Sequence, residues 1–199
     1  QRDAWLADWA GLGRDGFLDL GDRLVRTGKY EEGSFALWFA ASFRREHTAA
    51  TYARLGAWLD EGGYRNWGHV DAFCALVLSP LLLDGVGKPR AMAEWRSSPS
   101  KWKRRAVPVA LIPLVKRGDP VGGLLAFVSP LMRDADKPVQ QALGWFLREA
   151  WKKDPAPVEA FLLKWKDRCG RIIVQYATEK MAPARRQRFR KLTAAKSRG

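Results

Sequence analysis

The chain has 199 residues, 47% of them hydrophobic, and carries a formal net charge of +14 at pH 7. That length suits one compact domain burying roughly 70% of the surface of the unfolded chain, and no uninterrupted apolar run reaches the ~18 residues of a membrane span. The basic excess points to a polyanionic partner, because Lys and Arg that neutralise phosphates release condensed counterions. It argues against a helical scaffold that binds only other proteins.

Half of that excess lies beyond Met181, where Arg185, Arg186, Arg188, Arg190, Lys191, Lys196 and Arg198 occur without an acidic residue. The expected organisation is a single helical domain over residues 1–181 and a basic C-terminal extension over 182–199; a plain solvated tail fits that composition equally. Gln1-Arg-Asp-Ala-Trp5 is not a charged-then-apolar signal region, so a soluble cytoplasmic protein is expected. Cys74 and Cys169 stand alone, and with His47 and His69 they are too scattered for a zinc pattern. Both read as buried thiols.

In chain order, Trp5, Leu6, Trp9 and Leu12, then Phe17, Leu18, Leu20, Leu24 and Val25, recur at helical spacing, and Gly28 closes the second helix. Tyr30 to Arg45 is apolar on most sides, as a buried helix would be. Thr48 is a candidate cap for a helix through Tyr52, Leu55, Trp58 and Leu59 that stops at Gly62-Gly63. Asn66 is a candidate cap for the run from Trp67 to Leu78, which ends at Ser79-Pro80; Trp67 and Asp71 share a face of it. A Gly-Pro-rich connection leads to a short helix ending at Trp95-Arg96. Ser98 or Ser100 caps the next helix, which Pro108 and Pro113 are expected to bend or split. Helices then follow at Val121–Met132, around Trp145, at Pro155–Trp165 and at Arg171–Met181, the last extended by Ala184–Leu192; no segment reads as a strand. Asp119-Pro120 and Asp154-Pro155 end two similarly built segments 35 residues apart, a two-helix solenoid period.

Three motifs sit in order on this pattern: Asn66-Trp67-x-x-x-Asp71-x-Phe73-Cys74; Trp95 with Ser98 and Trp102-Lys-Arg-Arg105-Ala; and Leu143-Gly-Trp145-Phe-Leu-Arg148-Glu-Ala. Together they resemble the AlkD-like DNA alkylation repair glycosylase family over about Tyr30 to Met181. The resemblance implies an all-α stack of HEAT-like repeats with a concave basic face. It also implies excision of positively charged N3- or N7-alkylated purines from duplex DNA by hydrolysis of the N-glycosidic bond, without flipping the base into a pocket. It assigns Trp67, Asp71 and Trp145 to the catalytic cleft and Arg105 to a DNA contact near the lesion. Around Trp67 the chain departs from the best-known branch, which is richer in Trp and Asp.

The chemistry fits these residue types. A cationic purine is already a good leaving group, so the need is to stabilise oxocarbenium character on the deoxyribose, which a carboxylate such as Asp71 can do while orienting water. Indole faces attract cations. Lys101, Lys103, Arg104 and Arg148 are further candidate DNA contacts, with Lys152 and Lys153 behind them. The scheme calls for no metal or organic cofactor and for a monomer acting on alkylated duplex DNA in base excision repair, in the cytoplasm and associated with the nucleoid. The plain readings are that most tryptophans of a helical stack are core, that Asp71 caps a neighbouring helix or pairs with a basic side chain, and that Arg105 forms a surface salt bridge. The alternative function is a non-catalytic HEAT-like protein that recognises damaged, bent or branched DNA.

Overall fold

The computed structural model describes residues 2–60 and 62–190, and among them there are helices and turns but no strand. The chain forms two compact units, Gln1–Leu114 and Val115–Gly199. No helix among the described residues is long and apolar enough to cross a membrane.

The first unit begins with α1 (Arg2–Asp8), α2 (Gly13–Arg26) and α3 (Tyr30–Ser42). Gly28 has φ 74°, a left-handed turn that glycine adopts without steric cost, and it reverses the chain so that α3 packs along α2. α4 (Ala49–Gly56) starts at Thr48, whose hydroxyl accepts from the Thr51 amide while the Thr51 side chain returns to the Thr48 amide. Gly56 leaves room for Trp95, whose Cζ2 would stand 2.5 Å from an added Cβ. Trp95 is therefore a core residue, stacked on Tyr52 at 6.0 Å.

The helix opening at Trp67 does not stop at Ser79-Pro80. α5 (Trp67–Phe73) runs through a π-helical turn at Cys74–Leu78 into α6 (Ser79–Leu83). The Ser79 amide donates to the Cys74 carbonyl, five residues back, so the helix is already widened where Pro80 lacks a donor and its ring needs space. Two 3-10 turns at Pro89–Met92 and Glu94–Ser97 replace the short helix expected before Trp95-Arg96. α7 (Lys101–Arg117) runs as one helix through Pro108 and Pro113, so the expected split does not occur. Each proline costs a helix interior about 3 kcal/mol, but Ala106, Val107, Val109, Ala110, Leu111, Ile112 and Leu114 are all buried. Packing outweighs local propensity here. The Ser100 hydroxyl caps α7 by accepting from the Lys103 amide at 3.3 Å.

The second unit holds α8 (Val121–Val128), a 3-10 turn at Ser129–Arg133, α9 (Lys137–Lys153), α10 (Pro155–Trp165), α11 (Arg171–Ala177) and α12 (Pro183–Gln187). α9 packs on α11 through Gly144, where a Cβ would stand 2.5 Å from Tyr176 Cβ and 2.9 Å from the Ile173 carbonyl oxygen. Gly144→Ala is expected to cost about 1–3 kcal/mol by overpacking, even after the gain in helix propensity; thermal melting measures it, and an unchanged Tm would contradict this packing.

Residues 182–190 are not a solvated tail. Phe189 is 1% exposed, and the Arg186 guanidinium donates to the carbonyls of Thr178, Glu179 and Met181 at the end of α11. Arg185 and Arg188 both pair with Glu159 of α10, at 2.6 and 3.1 Å. Against the penalty of burial, the Trp151 indole N–H and these two guanidinium groups hold the Glu159 carboxyl below its usual range. The final helix ends at Gln187 rather than reaching Leu192, which lies outside the described residues.

Candidate active site

The N-terminus of α5 is fixed before it presents anything. The Asn66 side-chain oxygen accepts from the His69 amide at 2.8 Å, and its amide nitrogen donates to His69 Nδ1 at 3.0 Å. With Nδ1 accepting, the imidazole carries its proton on Nε2, which donates to the Tyr30 carbonyl at 2.9 Å. Burial keeps His69 below its ordinary pKa, favouring this neutral form. The start of α5 is thereby tied to the start of α3, and the Tyr30 ring stacks on the imidazole at 4.3 Å. Asn66→Ala removes the cap and the tautomer-setting bond; the expected cost is about 1 kcal/mol, read as a lower denaturation midpoint, and an unchanged midpoint would contradict the tie.

Trp67, the first residue of α5, is 66% exposed. A tryptophan held at a capped helix start and left open to solvent is not core packing. Asp71, one turn on, has a side chain 21% exposed and is held by Arg105 of α7. Arg105 Nε donates to Oδ1 at 2.9 Å and Nη2 to Oδ2 at 2.8 Å, a two-bond fork. The Arg105 side chain is only 7% exposed, so it lies behind the carboxylate. Each carboxylate oxygen still has a lone pair beyond the fork. Below the pair, burial, with a contribution from the Asp71 charge, pushes the Cys74 thiol well above its ordinary range; Cys74 and Cys169 are both buried free thiols.

The structure gives most of the candidate DNA contacts internal partners. Lys103 pairs with Asp60 at 2.6 Å, Arg104 donates to the Ser98 and Pro99 carbonyls, and Arg105 holds Asp71. In the second unit, Arg148 pairs with Glu149 and Glu179, and Lys152 with Glu149. Lys101 is exposed at the start of α7, its ammonium 5.5 Å from the Trp102 ring. Trp145 lies mid-way along α9, half-buried.

Sequence reasoning missed a groove of about 510 Å³ beside α5. It is lined by Tyr30, Ser34 and Trp38 of α3 and by His69, Ala72 and Leu76 from the α5 side. Tyr30, Trp38 and Leu76 are exposed, and the spacing of Tyr30 and Trp38 along one α3 face was the available signal.

An all-α repeat protein whose exposed tryptophan and forked carboxylate share one helix face defines a class. The family model described as DNA alkylation repair enzyme matches residues 3–181, and the chain belongs to that family. Its role is therefore in the repair of alkylated DNA. A solved structure described as a predicted DNA alkylation repair enzyme from Enterococcus faecalis aligns with a TM-score of 0.74 at 16% identity, covering 92% of this chain and 85% of that one. At that identity the likeness concerns the fold. No curated protein matches the chain.

Proposed function

We propose that the protein is a monofunctional DNA glycosylase that hydrolyses the N-glycosidic bond of cationic N3- or N7-alkylated purines in duplex DNA, as a cytoplasmic, nucleoid-associated monomer. The observation that carries this reading is Asp71, a carboxylate held rigidly by Arg105 beside the exposed Trp67. A fixed carboxylate needs no reorganisation as charge develops on the sugar, and its remaining lone pairs can orient the attacking water. Trp67 offers an indole face to the purine cation, worth about 0.5–2 kcal/mol. Trp145 is assigned a second aromatic contact on the strength of its motif. Arg105 acts through Asp71 as a positioning residue, and Lys101 is the nearer candidate for a backbone phosphate. The scheme uses no metal or organic cofactor.

The fork also supports a second reading. A carboxylate forked by Arg105 can also serve as a structural tie that holds α5 on α7, leaving a protein that recognises damaged, bent or branched DNA without cutting it. Lesion charge separates the two. Duplexes carrying one N7-methylguanine, a cation, or one O6-methylguanine, a neutral base, are incubated with the protein, and abasic sites are scored by alkaline strand scission. Breaks at the cationic lesion alone are expected; breaks at both, or at neither, would overturn the proposal.

A further inference from the structure

The second unit holds nineteen Lys and Arg against eight Asp and Glu, so +11 of the +14 charge belongs to it. Most of its arginines are committed. Arg117 pairs with Asp119, Arg148 with Glu149 and Glu179, and Arg185 and Arg188 with Glu159. A pocket of about 690 Å³ between α11 and the segment around α12 departs from this pattern. It is lined by Arg171, Val174, Gln175, Thr178, Arg186, Phe189 and Arg190, three guanidinium groups and no carboxylate.

The pocket is built rather than incidental. Buried Phe189 and the three carbonyl contacts of Arg186 pin residues 183–190 against α11, and the Lys166 ammonium holds the Arg190 carbonyl at 3.4 Å. Arg171 and Arg190 are exposed, and neither side chain has a hydrogen bond or ion pair among the described residues. Two arginines with no carboxylate partner among the described residues, over a small apolar floor of Val174 and Phe189, are placed for a tetrahedral oxyanion, since guanidinium groups match phosphate oxygens in pairs.

We infer that this pocket is a phosphate site that seats a phosphodiester of the DNA backbone. The inference rests on the DNA-repair reading and adds to it a contact that positions the duplex without touching the lesion. It also gives the C-terminal segment a role: residues 183–190 complete the pocket.

The test measures duplex affinity of the full chain against NaCl concentration for the native protein, Arg171→Gln/Arg190→Gln and Arg171→Lys/Arg190→Lys. Loss of two phosphate contacts is expected to reduce the slope of log affinity against log salt by about 1.8, with the lysine variant retaining most of it and with both variants melting like the native protein. A Gln variant with the native slope, while the native chain binds duplex, would sink the site. A native chain with no salt-dependent duplex affinity would instead sink the DNA-binding reading beneath it. Calorimetric titration with inorganic phosphate is the second arm: weak millimolar binding fits a backbone site, whereas micromolar binding lost in the Gln variant would reassign the pocket to free phosphate and overturn the backbone assignment.

Discussion

Asp71→Asn is expected to lower the single-turnover rate of base release about a hundredfold while leaving duplex affinity within a few-fold of native. A carboxylate about 4 Å from a developing unit positive charge stabilises it by roughly 4 kcal/mol at an effective dielectric near 20. Arg105 lies behind the carboxylate and takes back part of that, leaving roughly 3 kcal/mol, which corresponds to about a hundredfold in rate when it acts only in the transition state. Asparagine can still accept one hydrogen bond from Arg105, so the α5–α7 contact survives in weakened form. Rates at saturating protein separate the chemical step from binding. A variant that excises at the native rate would remove Asp71 from the mechanism.

Arg105→Ala is expected to have the larger effect on stability. It leaves the Asp71 carboxylate, four-fifths covered, without its two strongest donors, and removing one partner of a largely buried pair costs about 3 kcal/mol. For a chain of this size that is a fall of roughly 6–12 °C in Tm. Arg105→Lys keeps the charge but not the fork, so it is expected to recover part of the melting temperature and little of the excision rate. That split identifies a positioning residue. Full recovery of both by lysine would mean that charge alone matters, and a native Tm in the alanine variant would mean that the fork contributes nothing to the fold.

The elements legible in the sequence were those set by local chemistry. Thr48, Asn66 and Ser100 cap the helices they precede because a side-chain oxygen finds an amide within three residues. The sharing of one face by Trp67 and Asp71 follows from helical spacing in the same way. The prolines misled because their penalty is local and the compensation is not. Pro108 and Pro113 sit in a helix buried on most sides, and Pro80 follows a π-helical turn whose Cys74, Val77 and Leu78 are buried. Arg105 could be read as a phosphate contact or as a salt bridge, since its partner lies 34 residues away and no periodicity links them. The docking of residues 183–190 had one signal, Phe189 alone in a run of arginines, easily outweighed by net charge.

Release of free base from methylated duplex DNA tests the central claim most directly. The native chain is incubated with the duplex, and the soluble fraction is resolved by chromatography. Free N3-methyladenine or N7-methylguanine, appearing in step with abasic sites, is the expected result. A protein that binds the same duplex with salt-dependent affinity yet leaves every methylated base attached would contradict the glycosylase account and leave Asp71 and Arg105 as a structural pair.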